Sequence, residues 1–323
     1  MIKTYLFAQN GIQEDVPLED WQSLVEGNSN LLWVDVRSLG KDEADMLAQL
    51  FDLHSIAIES CLDGYRRPHL YEFPDHFYVN LTVLDSPRGG GHAVKPSELH
   101  LFAGRSFIIT ASPNQNNPTV DEALKEYIST PSTCSRGPMY AVYLVMEDLV
   151  ETYYPVVEKL DDEADRLETT MLDRADRASL SKLFALKRRV FDLRKLLGPQ
   201  RDVLSEITRR DFPFVEGEER VYFQDIYNRM IRIFDMLDTI REILSGSLDI
   251  YLSTVSNRLN EVMKVLTVFA TILMMLSFVT GFFGMNFVYL PWLHSPNAFR
   301  NMCIAMGALT AGMLWWFHRK GWM

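Results

Sequence analysis

Along one stretch near the C-terminal end, Asn260, Met263, Thr267, Ala270, Met274, Ser277, Gly281 and Gly284 recur at coiled-coil spacing, and all are small, weakly polar or flexible. The other faces carry bulky apolar residues, among them Val265, Leu266, Phe269, Leu273, Leu276 and Phe283. A stripe of this composition serves one of two purposes. Gly, Ala, Ser and Thr let helix backbones approach closely. The same side chains, offered to a common axis by a ring of identical subunits, line an aqueous path. No carboxylate interrupts the stripe, so such a path would pass a hydrated cation through neutral oxygen atoms rather than hold a bare ion by charge. The stripe ends on Gly284-Met285-Asn286. By local chemistry alone that tripeptide is a helix stop, since Gly can adopt positive φ and Asn tolerates it.

The elements that must position this stripe are membrane helices. No Asp, Glu, Lys or Arg occurs from Val265 to Phe299, nor from Asn301 to Phe317. A spanning helix needs about 20 mostly apolar residues, which residues 263–283 and 299–317 each supply. Residues 284–298, rich in Gly, Asn and Pro, read as a short external loop. Arg258 and Lys264 precede the first span and His318, Arg319 and Lys320 follow the second, in a basic tail at 318–323. The connecting loop has only Arg300 at its end, so both chain ends are expected in the cytoplasm, with the spans in the cytoplasmic (inner) membrane. Trp292 at one edge and Trp315, Trp316 and Trp322 at the other fall at headgroup level.

Composition supports two solvents for one chain. Its 323 residues carry 32 Lys+Arg and 43 Asp+Glu, a net charge of −11. Residues 261–323 hold only Glu261 against Lys264, Arg300, Arg319 and Lys320, a net +3, which leaves −14 on the remainder. An acidic body argues against nucleic-acid binding, which needs a basic footprint. Cys61, Cys134 and Cys303 are odd in number and far apart, as suits buried thiols in a reducing compartment. His54 and Cys61 are a weak pair for zinc without further ligands. The N-terminus lacks a secretory signature. Without a Gly-rich phosphate loop or a catalytic triad, an enzyme is not expected.

The body divides near residue 135. Residues 1–135 alternate strand-like runs (KTYLFAQ, LLWVDVR, HFYVNLTVL, SELHLF, RSFIITA) with a helix that places Ala44, Leu47, Leu50 and Phe51 on one face, an α/β pattern. Gly89, Gly90 and Gly91 lie between two strands and read as a hairpin loop. Residues 136–262 are helical and highly charged, with a helix start at Pro138, a kink expected at Pro199 and a break at DFPFVEGEE. From about residue 218 to 283 no proline occurs, so one very long helix is expected to run from the body into the first span.

GFFGMNF at the exit of the first span, preceded by YLSTVSNRLNEVMKVLTVFATI, resembles the CorA family of divalent-cation transport proteins. LHSIAIESCLDGYRRPHLYEF, RSFIIT and the terminal HRKGWM extend the resemblance over essentially the whole chain. It implies an α+β membrane protein: an α/β/α cytoplasmic domain, a stalk helix that becomes the pore-lining span, an outer span facing lipid, and a homopentameric funnel. It implies that Gly284, Met285 and Asn286 form the selectivity entrance. Mg²⁺ dehydrates reluctantly, so Asn286 amide oxygens that hydrogen-bond its water shell make a sensible first filter. Asn260, Met263, Leu266, Thr267, Ala270, Met274, Ser277 and Gly281 match lining positions, with Met263, Leu266 and Met274 as an apolar gate; spacing alone had placed Leu266 off the stripe. Closure by cytoplasmic Mg²⁺ is implied at Asp225, with Asp249 near the cytoplasmic mouth. Asp235, Asp238 and Glu242 could add to a negative funnel, although a charge run on a helix is usually a solvated face.

The implied cargo is Mg²⁺, with Co²⁺ and Ni²⁺ as further candidates, moving passively; Mg²⁺ is both substrate and regulator, and no organic cofactor is expected. One departure is that the loop after the motif has no acidic residue and instead has His294 and Arg300. That leaves a ZntB-like, proton-coupled Zn²⁺ transporter as the alternative, although the stripe has no carboxylate to carry a proton. A non-conducting, membrane-anchored sensing module is the alternative of another class.

Overall fold

The structure is a computed structural model, and it describes all residues except 9–10, 26–29, 65–66, 86–94, 130–135, 174–175, 210, 216, 286–295 and 323. Among the described residues the strands are β1 (Ile2–Ala8), β2 (Gly11–Glu14), β3 (Leu31–Arg37), β4 (His69–Glu72), β5 (His76–Asp85), β6 (Lys95–Gly104) and β7 (Phe107–Ser112). The helices are α1 (Trp21–Leu24), α2 (Lys41–Phe51), α3 (Ser55–Leu62), α4 (Pro118–Ser129), α5 (Pro138–Glu151), α6 (Tyr154–Asp173), α7 (Arg177–Ile207), α8 (Glu219–Phe283) and α9 (Ala298–Arg319). The chain groups into two compact units, residues 1–168 with 181–245, and residues 169–180 with 246–323.

The first unit is built on a seven-stranded sheet in the order β2-β1-β3-β7-β6-β5-β4. The β3–β7 pair is parallel and the other pairs are antiparallel. Its central strands read as nearly unbroken apolar runs because both faces are covered. On one face Leu32, Val34, Val36, Phe102, Phe107 and Ile109 meet Ala44, Leu47, Phe51, Ala57 and Ile58 of α2 and α3. On the other, α5 packs on β6 and β7 and α4 packs on α5, while Tyr127 of α4 meets Phe7 edge-on with ring centroids 4.7 Å apart. The result is a three-layered α/β/α arrangement. Residues 86–94, including the three glycines, lie outside the described residues, but the strands they join pair antiparallel from Asp85↔Lys95 inward.

Polar side chains on the second face fix the parallel pair. Trp33 Nε1 donates to Thr110 Oγ1 at 3.1 Å, and Thr110 donates to Asp35 Oδ1 at 3.0 Å. Asp35 also pairs with Arg37 at 2.7 Å, and Arg37 continues to Asp121 of α4.

Helix α7 passes through Pro199 as one element. The next residue, Gln200, is fully buried. Its Oε1 accepts the Thr82 backbone N–H at 2.8 Å, and its Nε2 donates to the Tyr153 hydroxyl at 2.6 Å, tying α7 to β5. After α7 the break expected at DFPFVEGEE packs back on the sheet through Phe212 and Phe214, whose rings lie 5.2 and 5.3 Å from that of Phe77. Arg220 donates to the carbonyls of Thr208, Arg209 and Val215, which caps the α7 C-terminus.

Candidate functional site

Helix α8 carries most of the residues singled out from the sequence, and its two ends behave differently. At 1.5 Å per residue its 65 residues extend about 98 Å. In its first half Phe223, Ile226, Met230, Ile233, Leu237, Ile240 and Leu244 recur at alternating spacings of three and four and are buried. From Leu259 to Met285 nearly every side chain is exposed, and Val268 is the one buried residue. The small-residue stripe lies in this exposed half, where it is the most weakly hydrophobic face of an apolar rod. Among the described residues α8 is also the one helix long and apolar enough, by length and composition, to cross a membrane.

At about 100° per residue, Asn260, Met263, Thr267, Ala270, Met274, Ser277 and Gly281 occupy about a third of the circumference of α8. Leu266 follows Met263 by three residues and precedes Ala270 by four, so it borders the stripe, although coiled-coil spacing had placed it elsewhere. Met263, Leu266 and Met274 are 57, 59 and 70% exposed. Thr267 donates its hydroxyl proton to the Met263 carbonyl at 2.7 Å, and the hydroxyl oxygen keeps its capacity to accept.

Helix α8 stops at Phe283, and the Gly284 N–H still reaches the Thr280 carbonyl at 2.9 Å. Gly284 lies outside the left-handed region. A Cβ there would stand 3.1 Å from the Thr280 oxygen, the same carbonyl that the Gly284 N–H binds. Met285 is half exposed. Asn286, Trp292 and His294 lie outside the described residues.

The implied control residues have different surroundings. Asp225 accepts from Arg229 Nε at 2.8 Å, and the same guanidinium reaches Glu151 at 2.6 Å and Glu147 at 2.9 Å, both on α5. One arginine thus serves three carboxylates. Asp249 is exposed on α8. Of the residues considered for a negative funnel, Asp235 and Glu242 are exposed, whereas Asp238 is bound by Arg194, which holds its carboxyl below the usual range.

Sequence reading missed an acidic cluster formed by two helices. Glu122 and Glu126 of α4 and Glu147 and Glu151 of α5 surround Asp148, whose carboxyl is pushed up to about 7 by burial first and by these four neighbours second. Asp148 Oδ2 is buried without a hydrogen-bond partner among the described residues. No sequence signal reveals this cluster, because it depends on how α4 packs against α5. Of the two residues weighed for zinc, His54 Nδ1 accepts the Ile56 N–H as the cap of α3, and the Cys61 thiol is pushed up to about 12 by burial. Among the described residues no three His, Cys, Asp or Glu side chains are placed to hold a metal.

A protein-family model, CorA-like Mg2+ transporter protein, matches residues 28–319. The chain belongs to the CorA family. It is 31% identical to the cobalt/magnesium transport protein CorA of Thermotoga maritima over 320 residues, 98% of this chain and 88% of the relative. It is 27% identical to the zinc transport protein ZntB of Pectobacterium carotovorum over 277 residues, 76% of this chain and 84% of the relative. Among solved structures, that of the CorA magnesium transporter from Methanocaldococcus jannaschii superposes with a TM-score of 0.78 at 24% identity, covering 100% of this chain and 99% of the other. The family is one of membrane transport proteins rather than enzymes, and the likeness to a full-length member extends over the sheet, the long α8 and α9 alike.

Proposed function

We propose that the protein conducts hydrated Mg²⁺ passively across the cytoplasmic membrane as a homo-oligomer, a pentamer by family resemblance, with the α8 stripe facing the axis. The observation that carries this reading is the exposed row from Asn260 to Gly281, on a helix whose first half buries its own row. Gly284, Met285 and Asn286 form the entrance, Thr267 and Ser277 supply oxygen to the water shell, and Met263, Leu266 and Met274 form the gate. Helix α9 is the second span: between Arg300 and Arg319 it has no charged residue, and those 19 steps cover about 28 Å, close to the hydrocarbon thickness. Both chain ends are cytoplasmic, and internal Mg²⁺ at Asp225 and Asp249 closes the path. The names of the Thermotoga and Methanocaldococcus relatives support Mg²⁺ and Co²⁺ as cargo.

A second reading, Zn²⁺ transport driven by a proton gradient, is favoured by the match to ZntB and by the lack of acidic residues from Phe287 to Arg300. Ion flux into proteoliposomes separates the two readings. Mg²⁺ flux that ignores a pH gradient and is lost in Asn286→Ala supports the first; Zn²⁺ flux that follows the gradient replaces it with the second. Flux of neither ion removes both and leaves a sensing module.

A further inference from the structure

The end of α9 is a built feature. Three backbone bonds close it: Lys320 N–H to Trp316 O at 3.1 Å, Gly321 N–H to His318 O at 3.0 Å and Trp322 N–H to Phe317 O at 3.0 Å. Gly321 supplies the left-handed residue, at φ +70°. This is the Schellman pattern, and its usual hydrophobic contact is present, with the Trp322 ring 5.7 Å from that of the buried Phe317. Three terminal carbonyls are thereby satisfied internally, and the last turn is held in one conformation.

That closure sets two parallel columns on the helix surface. The Arg319 guanidinium lies 5.4 Å from the ring centre of Trp315, four residues earlier, and the Lys320 ammonium lies 4.5 Å from that of Trp316. In each column the indole faces the apolar body of α9 and the cation faces the chain end. Both indoles are exposed. Two cations at adjacent positions thus each rest on an amphipathic ring at the same end of the helix.

We infer that this terminus is a binding site for the phosphodiester of an anionic glycerophospholipid, with Arg319 and Lys320 sharing the phosphate and Trp315 and Trp316 at the boundary below it. Charge complementarity commits the site to an anion. The Trp rows commit that anion to the headgroup layer, where such rings are enriched. A basic residue beside an anionic surface contributes about fivefold in affinity, so the pair accounts for a preference of roughly tenfold or more over a zwitterionic lipid. The inference rests on the reading of α9 as a membrane span with its end at the cytoplasmic face.

The test is quenching of tryptophan fluorescence in the full-length protein, reconstituted in phosphatidylcholine with increasing brominated phosphatidylglycerol or brominated phosphatidylcholine, in a Trp292→Phe background. The expected result is roughly tenfold tighter quenching by brominated phosphatidylglycerol than by brominated phosphatidylcholine, brought to parity in Arg319→Gln/Lys320→Gln while quenching by brominated phosphatidylcholine persists. Gly321→Val, which strains the left-handed residue but keeps both charges, should lose part of the preference. Three results overturn the site: equal quenching by the two lipids in the parent protein, an unchanged preference in the double variant, or full preference in Gly321→Val. Absence of quenching by either lipid removes instead the membrane reading beneath it.

Discussion

Arg229 donates from Nε to Oδ2 of Asp225 at 2.8 Å, one turn back along α8, and uses its other two nitrogens on Glu147 and Glu151 of α5. The residue proposed above to sense internal cations therefore already has a cation, supplied by its own helix. Any divalent ion arriving at Asp225 must compete with a guanidinium that three carboxylates hold in place.

Replacing Arg229 by Gln should lower the internal Mg²⁺ concentration that half-closes the path by about three- to tenfold, in keeping with the removal of a half-buried, competing charge. Flux from proteoliposomes loaded with graded Mg²⁺ measures this directly. Asp225→Asn serves as the reference: if it shuts off normally, Asp225 is not the sensor, and if only Arg229→Gln is silent, the competition is absent.

Asp148 gives the protein a dependence on pH. Its carboxyl is raised to about 7 in the folded chain from an ordinary 3.8, so folding favours the protonated form. The stabilisation is complete below about pH 4 and is lost as pH rises through 7. Asp148→Asn should match the parent protein near pH 4 and exceed it by roughly 1–2 kcal/mol at pH 8, after discounting for partial exposure. Thermal unfolding in detergent at the two pH values decides it, and a constant difference would refute the assignment.

Strands such as LLWVDVR and HFYVNLTVL and the uninterrupted course of α8 were legible because each is dictated locally, by β-branched runs or by 65 residues without a proline. The short β2, mostly exposed at the sheet edge, has no apolar alternation to announce it. Neither the parallel β3–β7 pairing nor the contacts of Arg229 with residues 78 and 82 positions away can be read from spacing, since both are made by tertiary packing. The stripe was legible as a pattern, whereas the conformation of Gly284, outside the left-handed region, required the backbone.

Gln200→Leu should lower stability by about 2–3 kcal/mol, because the Thr82 N–H and Tyr153 hydroxyl lose a buried partner. Chemical unfolding followed by circular dichroism reports the loss. A change below about 0.5 kcal/mol would mean that water replaces the amide.

Thr267→Val should reduce Mg²⁺ flux about three- to tenfold, and Thr267→Ser should restore it, since only the hydroxyl oxygen is at issue. Equal flux in the valine variant, at equal protein per vesicle, would take Thr267 off the ion path.

The chain of hydrogen bonds from Trp33 through Thr110 to Asp35 also bears on how the sheet assembles. Sliding β7 by one residue along β3 would turn Thr110 to the opposite face and leave Asp35, 2% exposed, facing an apolar neighbour with Arg37 as its remaining partner. The parallel junction joins segments about 75 positions apart, a separation at which pairing carries a large loop-closure cost. A misaligned junction thus carries the penalty of a poorly partnered buried carboxylate, so one side chain selects the native alignment of the sheet over its nearest competitor.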